Sequence, residues 1–102
     1  MSTIENQYQI DGRLSYEQIE NELRERDKAY AGRIVVLVKN GEAYRIERWS
    51  ILNHNGIAEY AVHYHPVDLI TNRDFTNVKH TRPARELFDG RFLLNPLSSP
   101  TT

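Results

Sequence analysis

The stretch Arg33-Ile-Val-Val-Leu-Val-Lys-Asn-Gly-Glu-Ala-Tyr-Arg-Ile-Glu-Arg-Trp-Ser-Ile-Leu-Asn-His-Asn-Gly-Ile-Ala-Glu-Tyr-Ala-Val-His-Tyr-His65 reads as three consecutive antiparallel strands with both reversals written into it. From Ile34 to Val38, β-branched or large apolar residues leave no polar face, which suits a strand covered on both sides and predicts the most buried strand of the chain. Asn40-Gly41 follows, and both residue types tolerate positive φ, so a two-residue type I′ hairpin is expected between Lys39 and Glu42. On the return strand Tyr44 and Ile46 share a face with Glu42 and Arg48, whereas Trp49 and Ile51 take the other. The apolar register therefore slips near Arg48, where a bulge or sharp bend is expected. After the turn Asn53-His54-Asn55-Gly56 the alternation is strict, with Ala58, Tyr60, Val62 and Tyr64 opposed to Glu59, Ala61, His63 and His65. Pro66 is expected to end the ladder.

Upstream, the polar run to Arg13 offers only Tyr8 and Ile10 for a short edge strand. Ser15-Tyr-Glu-Gln18 has capping-box spacing, and Tyr16, Ile19, Leu23 and Tyr30 then fall on one helical face opposite Glu20, Glu22, Arg24, Glu25, Asp27 and Lys28. A helix over 15–31 is predicted, stopped by Gly32, with its apolar stripe on the sheet. Downstream, Val67 to Ile70 reads as a short strand, Thr71 to Asp74 as a loop and Phe75 to Thr81 as a further strand, closing a sheet over 33–81. Pro83 suits the first turn of a short helix over 83–89 closed by Gly90, after which Phe88, Phe92 and Leu93 fold back onto the core. Asn95 to Thr102, with two prolines, two serines and two threonines, reads as a disordered tail.

A chain of 102 residues with net charge −1 and 39% hydrophobic residues has material for one small core, and residues 1–94 are read as a single α+β domain, a helix packed on a curved antiparallel sheet. The absence of cysteine excludes disulfides and thiolate chemistry and fits the cytoplasm, the compartment this reading assigns. No run approaches the roughly 20 apolar residues of a membrane span, and the N-terminus lacks a secretory apolar core. The balanced charge removes the simplest argument for nucleic acid.

Lys39-Asn-Gly41 with Tyr44, Asn53-His54, Tyr60-Ala-Val-His-Tyr64, Thr81-Arg82 and Glu86-Leu-Phe88 follow an order of landmarks. That order resembles an uncharacterised bacterial and phage family, domain of unknown function sixteen fifty-three. The resemblance spans Val36 to Leu93 and implies a small SH3-like β-barrel and a phage or bacterial accessory role. Glu47-Arg48 replaces a small apolar pair of that family, Val67 to Asn77 is longer, and the N-terminal helix is additional. It implies no activity, because the family has no established catalytic residues.

Among chemical candidates, His63-Tyr-His65 places two imidazoles on one strand face, as zinc or iron ligation needs, with His54, Glu59, Asp68 or His80 available to complete the shell. Ser50 lies mid-strand without a nucleophile elbow, and no Gly-rich phosphate loop is present. Lys39, Arg45, Arg48, Arg73, Lys79, Arg82, Arg85 and Arg91 with Tyr44, Trp49, Tyr60 and Tyr64 would form a basic aromatic surface for nucleic acid or a nucleotide if the rings were exposed. The sequence reading is a noncatalytic binding or regulatory module for a protein partner. It assigns no catalytic residue, cofactor or metal, and its binding residues are Arg45, Trp49, Glu59, His63, His65, Lys79 and Arg82. A nucleic-acid or nucleotide-binding domain and a His-based metal-dependent enzyme are the alternatives.

Overall fold

The fold is taken from a computed structural model and describes residues 9–10, 12–54 and 56–94. In chain order it has helix α1 (Tyr16–Tyr30), strands β1 (Ile34–Leu37), β2 (Ala43–His54), β3 (Ile57–Asp68), β4 (Arg73–Asp74) and β5 (His80–Pro83), the one-turn helix α2 (Ala84–Leu87) and strand β6 (Phe92–Leu94). The strands form one antiparallel six-stranded sheet in the order β4-β3-β2-β1-β6, with β5 also pairing β3. This is the expected α+β arrangement of a helix and a curved sheet. The sheet remains open, with β6 at one margin and β4 and β5 at the other, so the barrel alternative is not realised. The tail from Asn95 and Tyr8 of the expected edge strand lie outside the described residues; Gln9 forms a bridge with Glu59.

The capping box forms as the spacing requires: the Gln18 amide donates to Ser15 Oγ at 3.2 Å and the Ser15 amide to Gln18 Oε1 at 2.8 Å. Ile19 is buried and Leu23 and Tyr30 pack against the core, but Tyr16 is 87% exposed because the first turn is not covered by the sheet. Helix and sheet are joined through main-chain groups. Pairing of β1 with β2 begins at Ile34↔Arg45. Beyond that pair, the Ile46 amide donates to the Arg33 carbonyl (2.9 Å), Gly32, at φ +89°, donates to the Ile46 carbonyl (2.8 Å), and Asp27 Oδ1 accepts from the Trp49 amide at 2.7 Å. Each satisfies a β2 group that would otherwise face the edge unpaired.

β3, not β1, is the most buried strand, with Glu59 through Val62, Tyr64, His65 and Val67 all buried. It has β2 on one side and β5 and β4 on the other, whereas β1 is short and grades from buried Ile34 and Val35 to half-buried Val36 and Leu37. The ladder shifts between Ile46 and Arg48, leaving Glu47 unpaired at the expected bulge. That extra residue puts Ile46, opposite Tyr64, and Trp49, opposite Val62, on the same face. There they join Val35, Tyr44, Tyr60 and Phe92 in a core closed by Leu87.

Other segments depart from expectation. Pro66 does not end the ladder: β3 continues to Asp68, with Pro66 opposite Tyr44. Its carbonyl accepts from the Phe75 amide at 3.0 Å, so its own nitrogen faces that flank and costs no bond to β2. Val67 and Asp68 extend β3 rather than forming a separate strand; Arg73–Asp74 is paired rather than looped, and the strand expected from Phe75 begins only at His80. The second helix is confined to Ala84–Leu87. β6 carries the sheet beyond its expected limit, burying Phe92 while leaving Leu93 62% exposed.

The reversal expected as a two-residue turn at Asn40-Gly41 instead occupies Val38 to Gly41, closed by hydrogen bonds from the Leu37 amide to the Glu42 carbonyl and from the Gly41 amide to the Leu37 carbonyl. Only Gly41 has positive φ there, +74°. A side chain would meet open space at Gly41, so the backbone conformation alone sets the cost of substitution. Gly41→Val is expected to lower stability by about 1 kcal/mol or more and Gly41→Asn by less, measured by urea denaturation. Asp27→Ala is expected to cost about 1–3 kcal/mol by orphaning the Trp49 amide. Alanine favours the helix itself, so a lower midpoint would report the lost cap rather than lost helicity.

Candidate functional site

The bulge at Glu47 aims its carboxylate across the β2–β3 ladder at His65, which the alternation placed on the open face but which is 5% exposed. His65 Nδ1 donates to Glu47 Oε2 at 2.6 Å, and Nε2 to Asp74 Oδ2 at 3.1 Å. Both bonds are satisfied together only by a ring protonated at both nitrogens. Arg45 Nε donates to the same Asp74 oxygen at 2.9 Å and Arg45 Nη1 to the Gly32 carbonyl at 2.8 Å, while Lys79 Nζ lies 3.2 Å from Glu47. The chain Arg45–Asp74–His65–Glu47–Lys79 thus alternates in sign from end to end.

Its charges set one another's ionisation. The hydrogen bond from His65 holds the Asp74 carboxyl below its ordinary 3.8, overcoming burial and aided by Arg45. Burial pushes Glu47 up, but bonds from His65 and Lys79 outweigh it and leave the group below its ordinary 4.5. His63 sits in a different setting, with Ser50 Oγ 2.7 Å from Nε2 and Thr81 Oγ1 3.0 Å from Nδ1. Burial, then the charge of Arg48, lowers it from its ordinary 6.5, so the neutral ring donates to one hydroxyl and accepts from the other. No spacing within either strand points to this Ser50–His63 pairing.

Arg45, His65 and Lys79 are therefore brought together, with His63 beside them on the same face. Trp49 lies in the core on the opposite face, 4% exposed, stacked on Phe88 at 6.0 Å and edge-on to Tyr60. Arg82 also points that way, donating to Tyr64 Oη (2.8 Å) and Glu86 (3.0 Å). Glu59, expected to face outward, is buried and accepts from Arg85 Nε at 3.0 Å. Trp49, Glu59 and His65 thus do not present an exposed binding face. Among the described residues no three His, Cys, Asp or Glu side chains are grouped to hold an ion. The two carboxylates at His65 approach different ring nitrogens and so do not converge.

A further site lies where the β2–β3 ladder ends. Tyr44, Pro66, Val67, Leu69, Ile70, Phe75 and His80 line a groove of about 640 Å³, with Glu42 and Asp68 among its walls. Tyr44 and His80 form an aromatic base: His80 stacks on Tyr64 at 5.2 Å and meets Tyr44 edge-on at 5.6 Å. Asp68 Oδ1 accepts from the amides of Ile70 (2.9 Å) and Thr71 (3.3 Å), fixing a turn that leaves Ile70 96% exposed and Leu69 50% exposed. Val38, on the neighbouring turn, is also exposed. The signal available in the sequence was Leu69-Ile70, an apolar pair followed by Thr71-Asn72, at a turn rather than within a strand. No protein-family model, curated protein or solved structure matches the chain.

Glu47 and Asp74 are held below their ordinary values, so the stability they contribute is present above those values and is lost as pH falls through their lowered folded values. In His65→Gln the imidazole that bonds both carboxylates is gone and both carboxyls move back up. Relative to each protein at pH 7, the fall in urea midpoint between about pH 5 and pH 3 is expected to be shallower in the variant. Equal slopes would show that His65 does not set these carboxyls.

Proposed function

We propose that this protein is a noncatalytic binding module that engages another protein through the groove end of its sheet. The observation that carries this reading is the groove of about 640 Å³ rimmed by Ile70 and Leu69, 96% and 50% exposed. Apolar side chains clustered at an exposed concave surface mark interaction sites. The polar face supports the reading indirectly, because both nitrogens of His65 are committed to carboxylates and both of His63 to hydroxyls.

The nucleic-acid alternative loses its stacking platform, since Tyr44, Trp49, Tyr60 and Tyr64 are all buried. Three of its cations are also engaged internally, with Arg45, Lys79 and Arg82 in ion pairs with Asp74, Glu47 and Glu86. Among the described residues no helix is long and apolar enough to cross a membrane. The cytoplasmic setting belongs to the proposal and is supported by the lack of cysteine.

A benzophenone amino acid at position 70 tests the reading by photo-crosslinking in the native host. A discrete protein adduct is expected at position 70, with none when the probe is at exposed Leu93. Binding to a generic oligonucleotide at micromolar or lower concentration, weakening steeply with salt, would favour the nucleic-acid reading instead.

A further inference from the structure

We infer that the groove takes an extended segment of a partner protein in which an aliphatic or aromatic side chain adjoins a lysine or arginine. This rests on the protein-binding reading above and specifies the chemistry of the partner. The apolar half of the requirement comes from Pro66, Val67, Leu69, Ile70 and Phe75, which line the groove, with Leu69 and Ile70 exposed at its rim. The basic half comes from the carboxylates. The last pair of the β2–β3 ladder at this end is Ala43↔Val67, and the residues just past it are Glu42 and Asp68. Both line the groove, and like charges facing across a sheet are unfavourable unless a cation lies between them.

Among the described residues neither carboxylate is in an ion pair. Glu42 accepts from the Tyr44 hydroxyl at 2.7 Å, a neutral donor whose pKa is pushed up to about 12 by that bond and by burial. Asp68 accepts from the main-chain amides of Ile70 and Thr71 and from the Thr71 side chain; its ladder partner Arg73 acts on it through charge without an ion-pair contact, its guanidinium lying over the Phe75 ring at 4.6 Å. A lysine or arginine from outside would therefore give this pair of carboxylates a direct ion-pair contact that, among the described residues, neither makes. The segment 95–102 carries neither residue type. The exposed pairs of this kind that a second copy offers include Val78-Lys79, whose lysine is held by Glu47, and Val38-Lys39, which lies in a tight turn and is not extended.

The test pans random linear peptides displayed on phage against the intact protein, then measures the selected peptides by fluorescence anisotropy. Enrichment of aliphatic or aromatic residues next to lysine or arginine is expected. Ile70→Asp, at a position too exposed to affect folding, should weaken binding about tenfold or more. Glu42→Lys should weaken it severalfold, as should raising ionic strength from about 0.05 to 0.5 M. Leu93→Asp, exposed on β6, should leave it unchanged.

Enrichment of acidic or uncharged peptides, or affinity indifferent to Glu42→Lys, would overturn the inference while leaving the groove as a protein-binding site. Binding that survives Ile70→Asp would overturn both. A failure to enrich any peptide overturns the inference, and concentration-dependent self-association abolished by Ile70→Asp would assign the groove to a second copy.

Discussion

Glu47 is the residue on which the rest of the sheet depends. A strand alternates its side chains with period two, so inserting one unpaired residue exchanges the faces of everything that follows. With Glu47 outside the ladder, Ile46 and Trp49 both enter the core and Arg45 and Arg48 both leave it. Without it, Trp49 would share the polar face with Arg45, and the aromatic contacts joining it to Tyr30, Tyr60 and Phe88 would be lost. The same insertion swings the Glu47 carboxylate toward His65 and Lys79, so the step that builds the apolar core also assembles the charged chain on the other face.

The helix is tied to this point rather than laid over the sheet at large. β1 starts too late to cover β2 beyond Arg45, and the groups so exposed are taken up by Gly32, Arg33 and Asp27. The β2 edge at the bulge is therefore paired by a helix and its exit turn, where a neighbouring strand would otherwise be required. Arg26 completes the contact by lying 4.1 Å from the Tyr60 ring, whose hydroxyl bonds to Glu22. Burial and that bond push the Tyr60 pKa up to about 12, so the phenol remains a donor throughout the physiological range. Apolar packing and polar anchoring thus fix the same helix–strand junction from its two sides.

What could be read in the sequence was what neighbouring residues decide. The capping box, the stop at Gly32 and the slip near Arg48 each follow from spacing within one segment, and each is present. The misreadings share a non-local cause. Pro66 looked like a strand end because a proline lacks an amide donor, yet the flank its nitrogen faces needs none. His65 and Glu59 looked exposed by alternation, but Asp74 and Arg85, distant in sequence, cover and pair them. β6 was read only as apolar residues folding back, since three residues carry too little pattern to declare a strand. The groove was missed for a related reason: it belongs to two turns and the end of a ladder, and no periodicity spans such a combination.

The charged chain occupies the polar face and so directs the proposed binding reading to the end of the sheet. Partly buried ion pairs bring little net stability, because desolvation offsets attraction, but removing one member leaves its partner buried and uncompensated. Arg45, Asp74, His65, Glu47 and Lys79 therefore act mainly to penalise any other register of β2 against β3, since a slip would separate several of them at once. That role consumes the donors and acceptors of the polar face. At the far end, past Ala43↔Val67, the β2–β3 ladder stops, and Asp68 pairs only with Arg73 of the short β4. Leu69, Ile70 and two carboxylates without a direct ion-pair partner among the described residues lie there together, held by the Asp68 turn, because the β2–β3 ladder ends one residue earlier.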